Sequence, residues 1–171
     1  LPRPIEFSPQ IQPAIPTPTH PTLPSGHATE AFLLARLIWK LRRHSTHHPG
    51  SKEEAVWGEM LMRQASRIAV NRTVAGVHFP VDSVAGAILG LTLADFIWDL
   101  GEKTIGTRST ADFDGHLFPA DEDFHWHDLY DPQEDKQRPS AGKKGRHWMT
   151  SGTKKMMGDE AGSEAFHWLR Q

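Results

Sequence analysis

Apolar and polar positions divide the chain into five stretches. Between residues 28 and 44, Ala31, Leu34, Ala35, Ile38 and Trp39 recur at helical spacing, and Phe32, Leu33, Leu37 and Leu41 widen the stripe. So broad an apolar face predicts a helix buried on several sides. "STHHPG" then breaks the pattern. A second helix is predicted over residues 52 to 70, with Trp57, Met60, Leu61, Ala65 and Ile68 on one face. A third covers residues 82 to 100, apolar almost all round and so central, with Gly101 as its stop. Ahead of the first helix, residues 1 to 24 hold eight of the 13 prolines. Proline fixes φ and pushes its predecessor towards extended backbone. This arm is therefore either an ordered strap on the body or a disordered leader.

Residues 102 to 171 are polar and weakly periodic. They hold 13 acidic and 10 basic residues, with apolar clusters only at "FHWHDLY" and "EAFHWLR". They show no strand-rich block and no repeat. The expected organisation is an all-α core over residues 1–101 and a polar extension, 102–171, docked on it through those clusters.

Composition narrows the function classes. A length of 171 residues suits one domain with an extension. A net charge of −2, from 19 basic and 21 acidic residues, speaks against a nucleic-acid partner or a polybasic membrane surface. The chain has no cysteine, which excludes disulfides, thiol catalysis and thiolate metal sites. The most apolar run, Val84 to Trp98, is shorter than a bilayer asks for and contains Asp95, so it reads as a buried helix rather than a membrane span. The chain is expected to be soluble, with a periplasmic or secreted setting open. It begins "LPRPIEF" without an initiator Met, as a processed or cloned fragment would.

Candidate chemistry gathers at two helix entrances. Ser25, Gly26 and His27 precede the first helix, and "NRTVAGVHFPVD", Asn71 to Asp82, joins the second to the third. A helix N-terminus presents unpaired N–H groups and partial positive charge, which favour an anion. Gly26 lets backbone approach a ligand closely. Ser25 adds a hydroxyl donor, and Arg72 a forked cation suited to an oxyanion. Pro80 holds Phe79 extended behind His78. Singly, Ser25 and Asp82 read equally well as helix caps. Jointly, these groups describe an oxyanion site with two histidines available for chemistry.

The joint pattern resembles the type 2 phosphatidic acid phosphatase and vanadium haloperoxidase superfamily. That family carries Lys-x6-Arg-Pro, then Pro-Ser-Gly-His, then Arg-x5-His with an Asp a few residues on. Pro24-Ser25-Gly26-His27 matches the second motif, Arg72, His78 and Asp82 match the third with Asn71 in place of the usual serine, and Arg3-Pro4 matches the end of the first. The first motif's lysine would fall upstream of Leu1. The resemblance covers about the first hundred residues and implies a helical bundle of the haloperoxidase and acid phosphatase type, present as a C-terminal fragment of it. It implies that His78 bonds the central atom, as a vanadium ligand or as a phosphohistidine. Asp82 would fix the tautomer of His78. Arg3, Arg72, Ser25 and the Gly26 N–H would hold the equatorial oxygens, and His27 would act as acid–base on the apical one.

Three features favour vanadate as cofactor, with hydrogen peroxide and bromide or iodide as substrates. "THPTLPSGHA" is similar to the matching stretch of vanadium bromoperoxidases, which places His20 seven residues before His27. The other two are the lack of a membrane helix and the lack of cysteine. Pro80, two residues after His78, points instead to a soluble acid phosphatase acting on a phosphate ester. The expectation is a haloperoxidase, with that phosphatase as the alternative. A non-catalytic anion- or partner-binding helical module is the third reading. A homo-oligomer, or a second chain, could supply the missing N-terminal segment. His125-Trp126-His127-Asp128 lacks a third metal ligand and reads as a docking segment. Asn71-Arg72-Thr73 is a glycosylation sequon, but a glycan there would block the anion. "GKKGRH" reads as a solvated basic run.

Overall fold

Three long helices and a short one carry the first hundred residues: α1 (Pro4–Phe7), α2 (Gly26–Ser45), α3 (Lys52–Val74) and α4 (Pro80–Gly101). The computed structural model describes residues 2–45, 52–102, 107–138, 140–141 and 147–155. "EAFHWLR" and all of "GKKGRH" except His147 lie outside the described residues. The helical architecture expected from the apolar periodicity is the one observed, with the three long helices starting and ending within a few residues of expectation. The largest shift is at the end of α3, which runs on to Val74 rather than stopping at Val70, and α4 begins at Pro80 rather than Asp82. Proline suits the first helical position because its missing N–H has no intrahelical partner to lose there.

The Pro-rich arm is ordered. It contains α1, which the sequence reading did not foresee, and its Ala14 N–H donates to the Ala75 carbonyl at 3.0 Å. At Gly76, φ is +73°, and a Cβ there would sit 3.4 Å from both Ile11 and Pro13. The turn after α3 thus needs glycine for its backbone and for the arm that crosses it.

α2 and α4 run side by side at very close range. A Cβ on Gly86 would lie 2.5 Å from the Ser25 carbonyl oxygen, and one on Gly90 2.4 Å from that of Thr29. Gly86→Ala is expected to cost about 1–3 kcal/mol of unfolding free energy, since backbone and not a flexible side chain must give way. Denaturant titration checks this; unchanged stability would mean the two helices are not so closely seated.

The buried faces are narrower than the sequence stripes. In α2 the core face is Ala28, Phe32, Ala35 and Trp39, while Leu34, Ile38 and Leu41 are exposed. In α3 it is Met62, Ala65 and Ala69, while Trp57 and Met60 are exposed. The face of α3 is displaced because Gly58 lies directly against the Trp39 ring, which turns residues 58, 62, 65 and 69 inward. α4 is by length and composition able to cross a membrane, the only such helix among the described residues. In this structure 56% of its apolar window is buried in the body, as in a core helix.

The extension contributes strands that the sequence reading did not assign. β1 (Thr107–Phe113) pairs antiparallel with β5 (Met149–Lys155), and β4 (Ser140–Ala141) adds to the other edge of β5. β2 (Tyr130–Asp131) and β3 (Lys136–Gln137) form a separate small hairpin. Phe124, Trp126, Leu129, Tyr130, Trp148 and Met149 are buried in the same cluster as Phe32, Trp39 and Leu91. Phe124 meets Phe32 edge to face at 5.7 Å, and Tyr130 meets Trp39 at 5.6 Å. Trp126 opens a single 3-10 turn with its ring inward, while His125 and His127 are exposed. Among the described residues no group of three His, Cys, Asp or Glu side chains could hold a metal ion.

Candidate active site

Two chain crossings bring the site residues together. The Ser25 N–H donates to the Asp82 carbonyl at 3.0 Å, which ties the entrance of α2 to the first turn of α4. The end of α3 then closes: the Ala75 N–H bonds the Asn71 carbonyl at 2.9 Å and the Val77 N–H bonds that of Arg72 at 3.2 Å. His78 follows as the second residue before α4.

Asp82 is the third residue of α4, and its Oδ2 accepts the Phe79 N–H at 2.8 Å. That half of a capping box fixes the carboxylate at the positive end of the helix. The same oxygen lies 3.3 Å from His78 Nδ1. Asp82 is fully buried, and its Oδ1 has no hydrogen-bond partner. The His78 ring is 4% exposed, and its Nε2 lies 3.2 Å from Arg3 Nη1. A guanidinium only donates, so Nε2 must present its lone pair and Nδ1 must carry the proton towards Asp82. His78 is thereby held as the tautomer whose Nε2 carries the lone pair.

Arg3 reaches His78 because carbonyls grip it along its length. Nη1 donates to the Val77 carbonyl at 2.8 Å, and Nε and Nη2 donate to that of His20 at 3.1 and 2.9 Å. The His20 ring is exposed, with Nδ1 3.3 Å from Arg3 Nη2 and 3.0 Å from the Pro21 carbonyl. At the start of α1, Glu6 Oε1 accepts the Arg3 backbone N–H at 3.0 Å.

Arg72 is the second cation. Burial, and then repulsion from Arg3, hold its guanidinium below the ordinary range, and its buried Nε has no hydrogen-bond partner. Two arginines that repel each other, one with an idle donor, are a charge arrangement that suits an anion. Gly26 has open space where a Cβ would stand, and Ser25 is fully buried with Oγ accepting the Ala28 N–H at a long 3.5 Å. His27 is exposed on the first turn of α2. Arg3, His20, His78 and Asp82 thus form one connected hydrogen-bonded chain, with Ser25 tied to it through backbone and Arg72 through charge.

A second cluster, at the other end of α4, was missed by the sequence reading. Arg36 donates to Asp95 at 2.9 Å and to Tyr130 and Asp135, and Lys40 pairs with Asp95 at 3.0 Å. Burial works against the charge of Arg36, but Tyr130, Asp95 and Asp135 outweigh it and raise its pKa. Burial first, and Asp135 after it, push the Tyr130 phenol up against the pull of Arg36. The available signal was Arg36 inside the apolar run "AFLLARLIW" of α2 and Asp95 inside the run Val84 to Trp98 of α4.

The family model described as the PAP2 superfamily matches residues 1–105. No curated protein and no solved structure matches the chain.

Proposed function

The chain belongs to the PAP2 superfamily, and from that premise we propose that it hydrolyses phosphate monoesters through a phosphohistidine at His78. The observation that carries this reading is the His78 ring, held between the Asp82 carboxylate and the Arg3 guanidinium with Nε2 as the lone-pair nitrogen. Nε2 attacks phosphorus, and the bond from phosphorus to the ester oxygen breaks. His27 gives its proton to the departing alkoxide. Water, deprotonated by His27, then attacks the phosphohistidine and releases inorganic phosphate and free His78. Arg3, Arg72, the Gly26 N–H and Ser25 neutralise the equatorial oxygens, whose charge is greatest in the five-coordinate transition state. Arg3 moves its Nη1 from Nε2 onto the entering oxyanion, while its bonds to the His20 and Val77 carbonyls keep it at the site.

A second reading, the vanadate-dependent haloperoxidase, is favoured by one observation: the His20 ring stands at the edge of the site, against Arg3. The idle Arg72 donor and the open space at Gly26 fit vanadate as well as phosphate. His78 would ligate it, with Arg3, Arg72, Ser25 and Gly26 around its oxygens. Bound vanadate would supply activation of peroxide for halide oxidation. We place this reading second because the His20 ring is exposed and its Nδ1 already lies against the Pro21 carbonyl and the Arg3 guanidinium.

One set of assays separates these readings. Aryl phosphate hydrolysis inhibited by vanadate, with a phosphorylated His78 trapped in alkaline quench, is the expected result. Oxidation of bromide or iodide by peroxide only when vanadate is added would instead select the haloperoxidase. Anion binding without either turnover would leave a binding module. Arg72→Ala is expected to weaken phosphate binding by about 10- to 150-fold, the equivalent of one charge-assisted contact of about 1.5–3 kcal/mol. Arg72→Lys should recover only part of this, because an ammonium lacks the fork. Phosphate titration by calorimetry reads both; equal affinity in wild type and Arg72→Ala would remove Arg72 from the site.

A further inference from the structure

A cavity of about 260 Å³ lies where the extension meets the helices. Arg36 of α2 and Asp95 of α4 line it from the body, and Ser109, Thr110, Gln137 and Gly152 line it from β1, β3 and β5. Asp95 stands about 20 Å along α4 from Asp82, so the cavity is separate from the His78 site. Among the described residues, none that lines it is aliphatic or aromatic. Packed elements ordinarily close on each other with apolar side chains. Polar space at such a junction suits a polar occupant, either water or a ligand.

The charged donors on its walls are engaged. Arg36 gives Nε to Asp95, Nη1 to Tyr130 and Asp135, and Nη2 to the Asp135 carbonyl. Lys136 pairs with Glu134, and the Gln137 amide donates to Thr92 at 3.3 Å. The acceptors are not engaged. Asp95 Oδ1 takes both Arg36 and Lys40, but Asp95 Oδ2, Gln137 Oε1 and the hydroxyls of Ser109 and Thr110 make no bond with the described residues. Opposite Thr110 in the β1–β5 register stands Gly152, where a Cβ would meet nothing nearer than Thr110 Oγ1 at 3.9 Å. That hydroxyl is therefore left uncovered. An anion would face the open oxygen of Asp95 with the guanidinium already paired. An ammonium would meet a small excess of cations, Arg36, Lys40, Arg43 and Lys136 against Asp95, Asp135 and Glu134. A neutral hydroxyl can donate to the open oxygens, accept from Ser109 and Thr110, and add no charge. From this wall of free acceptors we propose that the cavity binds a small neutral polyol, no larger than a single sugar ring. Its volume sets that limit, being just below the roughly 300–1,000 Å³ of sites for drug-sized ligands. The proposal does not rest on the reaction at His78. A polyol held there bridges the helices and the extension, so its binding strengthens their junction.

Calorimetric titration of the whole chain tests this with glucose and galactose, each beside its protonated amino sugar and its uronate. At least one neutral sugar should bind, and its two charged forms should bind more weakly. Thr110→Val keeps the side-chain shape and removes the hydroxyl, so it should weaken that sugar by about 2- to 12-fold, the equivalent of one neutral hydrogen bond. Gly152→Val places a side chain in the open space and should weaken it by at least about tenfold. Valine suits a strand, and circular dichroism with phosphate titration checks that the fold and the His78 site persist in this variant. Should Gly152→Val not fold, Thr110→Val still decides. Thermal unfolding is measured alongside. Sugars stabilise any fold through exclusion from its surface, so the bound sugar is read as the extra gain of the wild type over Gly152→Val at equal concentration. Failure of both neutral sugars to bind would mean that the cavity holds water only, and overturns the proposal. A charged form that binds as tightly as its neutral parent overturns it too, as does an affinity that neither variant changes.

Discussion

His78→Ala is expected to lower phosphate ester hydrolysis by at least about a thousandfold, because the variant has no atom to form the covalent bond and water must attack without an intermediate. The loss should fall on kcat, since Arg3 and Arg72, which bind the anion, are untouched. The fold should persist. Asp82 keeps the Phe79 N–H at 2.8 Å, and Arg3 keeps the Val77 carbonyl at 2.8 Å and the His20 carbonyl at 2.9 Å. Removing a ring that is 4% exposed should cost about 1–3 kcal/mol of stability, as other buried truncations of moderate size do. Asp82→Asn should be milder, about 10- to 100-fold, as is usual when a group that orients a reactive histidine is neutralised. The ring then remains, but its tautomer and angle are no longer fixed by charge. Steady-state kinetics with thermal unfolding on the same samples tests the pair. An Asp82→Asn defect larger than that of His78→Ala, or a His78→Ala enzyme keeping a tenth of its rate, would remove His78 as the nucleophile.

The site was legible because its residues sit at helix entrances, where sequence spacing translates directly into position. Pro24-Ser25-Gly26-His27 and Arg72-x5-His78-x3-Asp82 each need only one local turn to be assembled, and both turns are marked by proline or glycine. The assignment of Arg3 was legible only by resemblance. Nothing in "LPRPIEF" says that carbonyls at positions 20, 21 and 77 will receive its guanidinium, since those partners are backbone atoms and carry no side-chain signal. The same limit explains the narrowed helix faces. Periodicity finds the apolar stripe, but which part of it is buried depends on where Gly58, Gly86 and Gly90 let a neighbouring helix approach. The strands of the extension escaped because they are short and polar. β1 reads "TRSTADF" and β5 "MTSGTKK", and their pairing joins residues some forty positions apart, which no local pattern encodes.

The arm gives the site an unusual dependence on packing far from the chemistry. Arg3 is delivered by a segment whose own anchors are the Ala14–Ala75 bond and the contact of Ile11 and Pro13 with the Gly76 turn. The proline content identified in the sequence therefore bears on how Arg3 is held. It lowers the conformational entropy that the arm loses when it orders, so a segment with little buried apolar surface can still hold a cation in place. His20 belongs to this apparatus whichever chemistry the site performs.

Arg36→Ala is expected to be the most destabilising single change outside the core aromatics, at about 3–5 kcal/mol. Arg36 is 4% exposed and bonds Asp95, Tyr130 and Asp135 together, so its loss takes the most buried cation from two partly buried carboxylates, while the Tyr130 hydroxyl keeps its donation to Asp135. Lys40 and Arg43 retain some contact with Asp95 and Asp135, but from more exposed positions. The effect should be larger than that of Arg36→Met, which also removes the charge but keeps volume against Trp39 and Tyr130. Asp95→Asn made together with Arg36→Met should recover part of the loss, because a carboxylate left with Lys40 alone, and not the missing attraction, dominates the cost. Since Asp135 and Tyr130 belong to the extension while Arg36 and Asp95 belong to α2 and α4, the same variant reports on docking. Arg36→Ala should expose the ring of Tyr130 and shift tryptophan emission to the red as Trp39 and Trp126 meet water, at denaturant concentrations where far-UV circular dichroism still reports intact helices. A single coincident transition by both probes would mean that the extension and the helices unfold as one unit, and that the Arg36 cluster stabilises the whole rather than the junction.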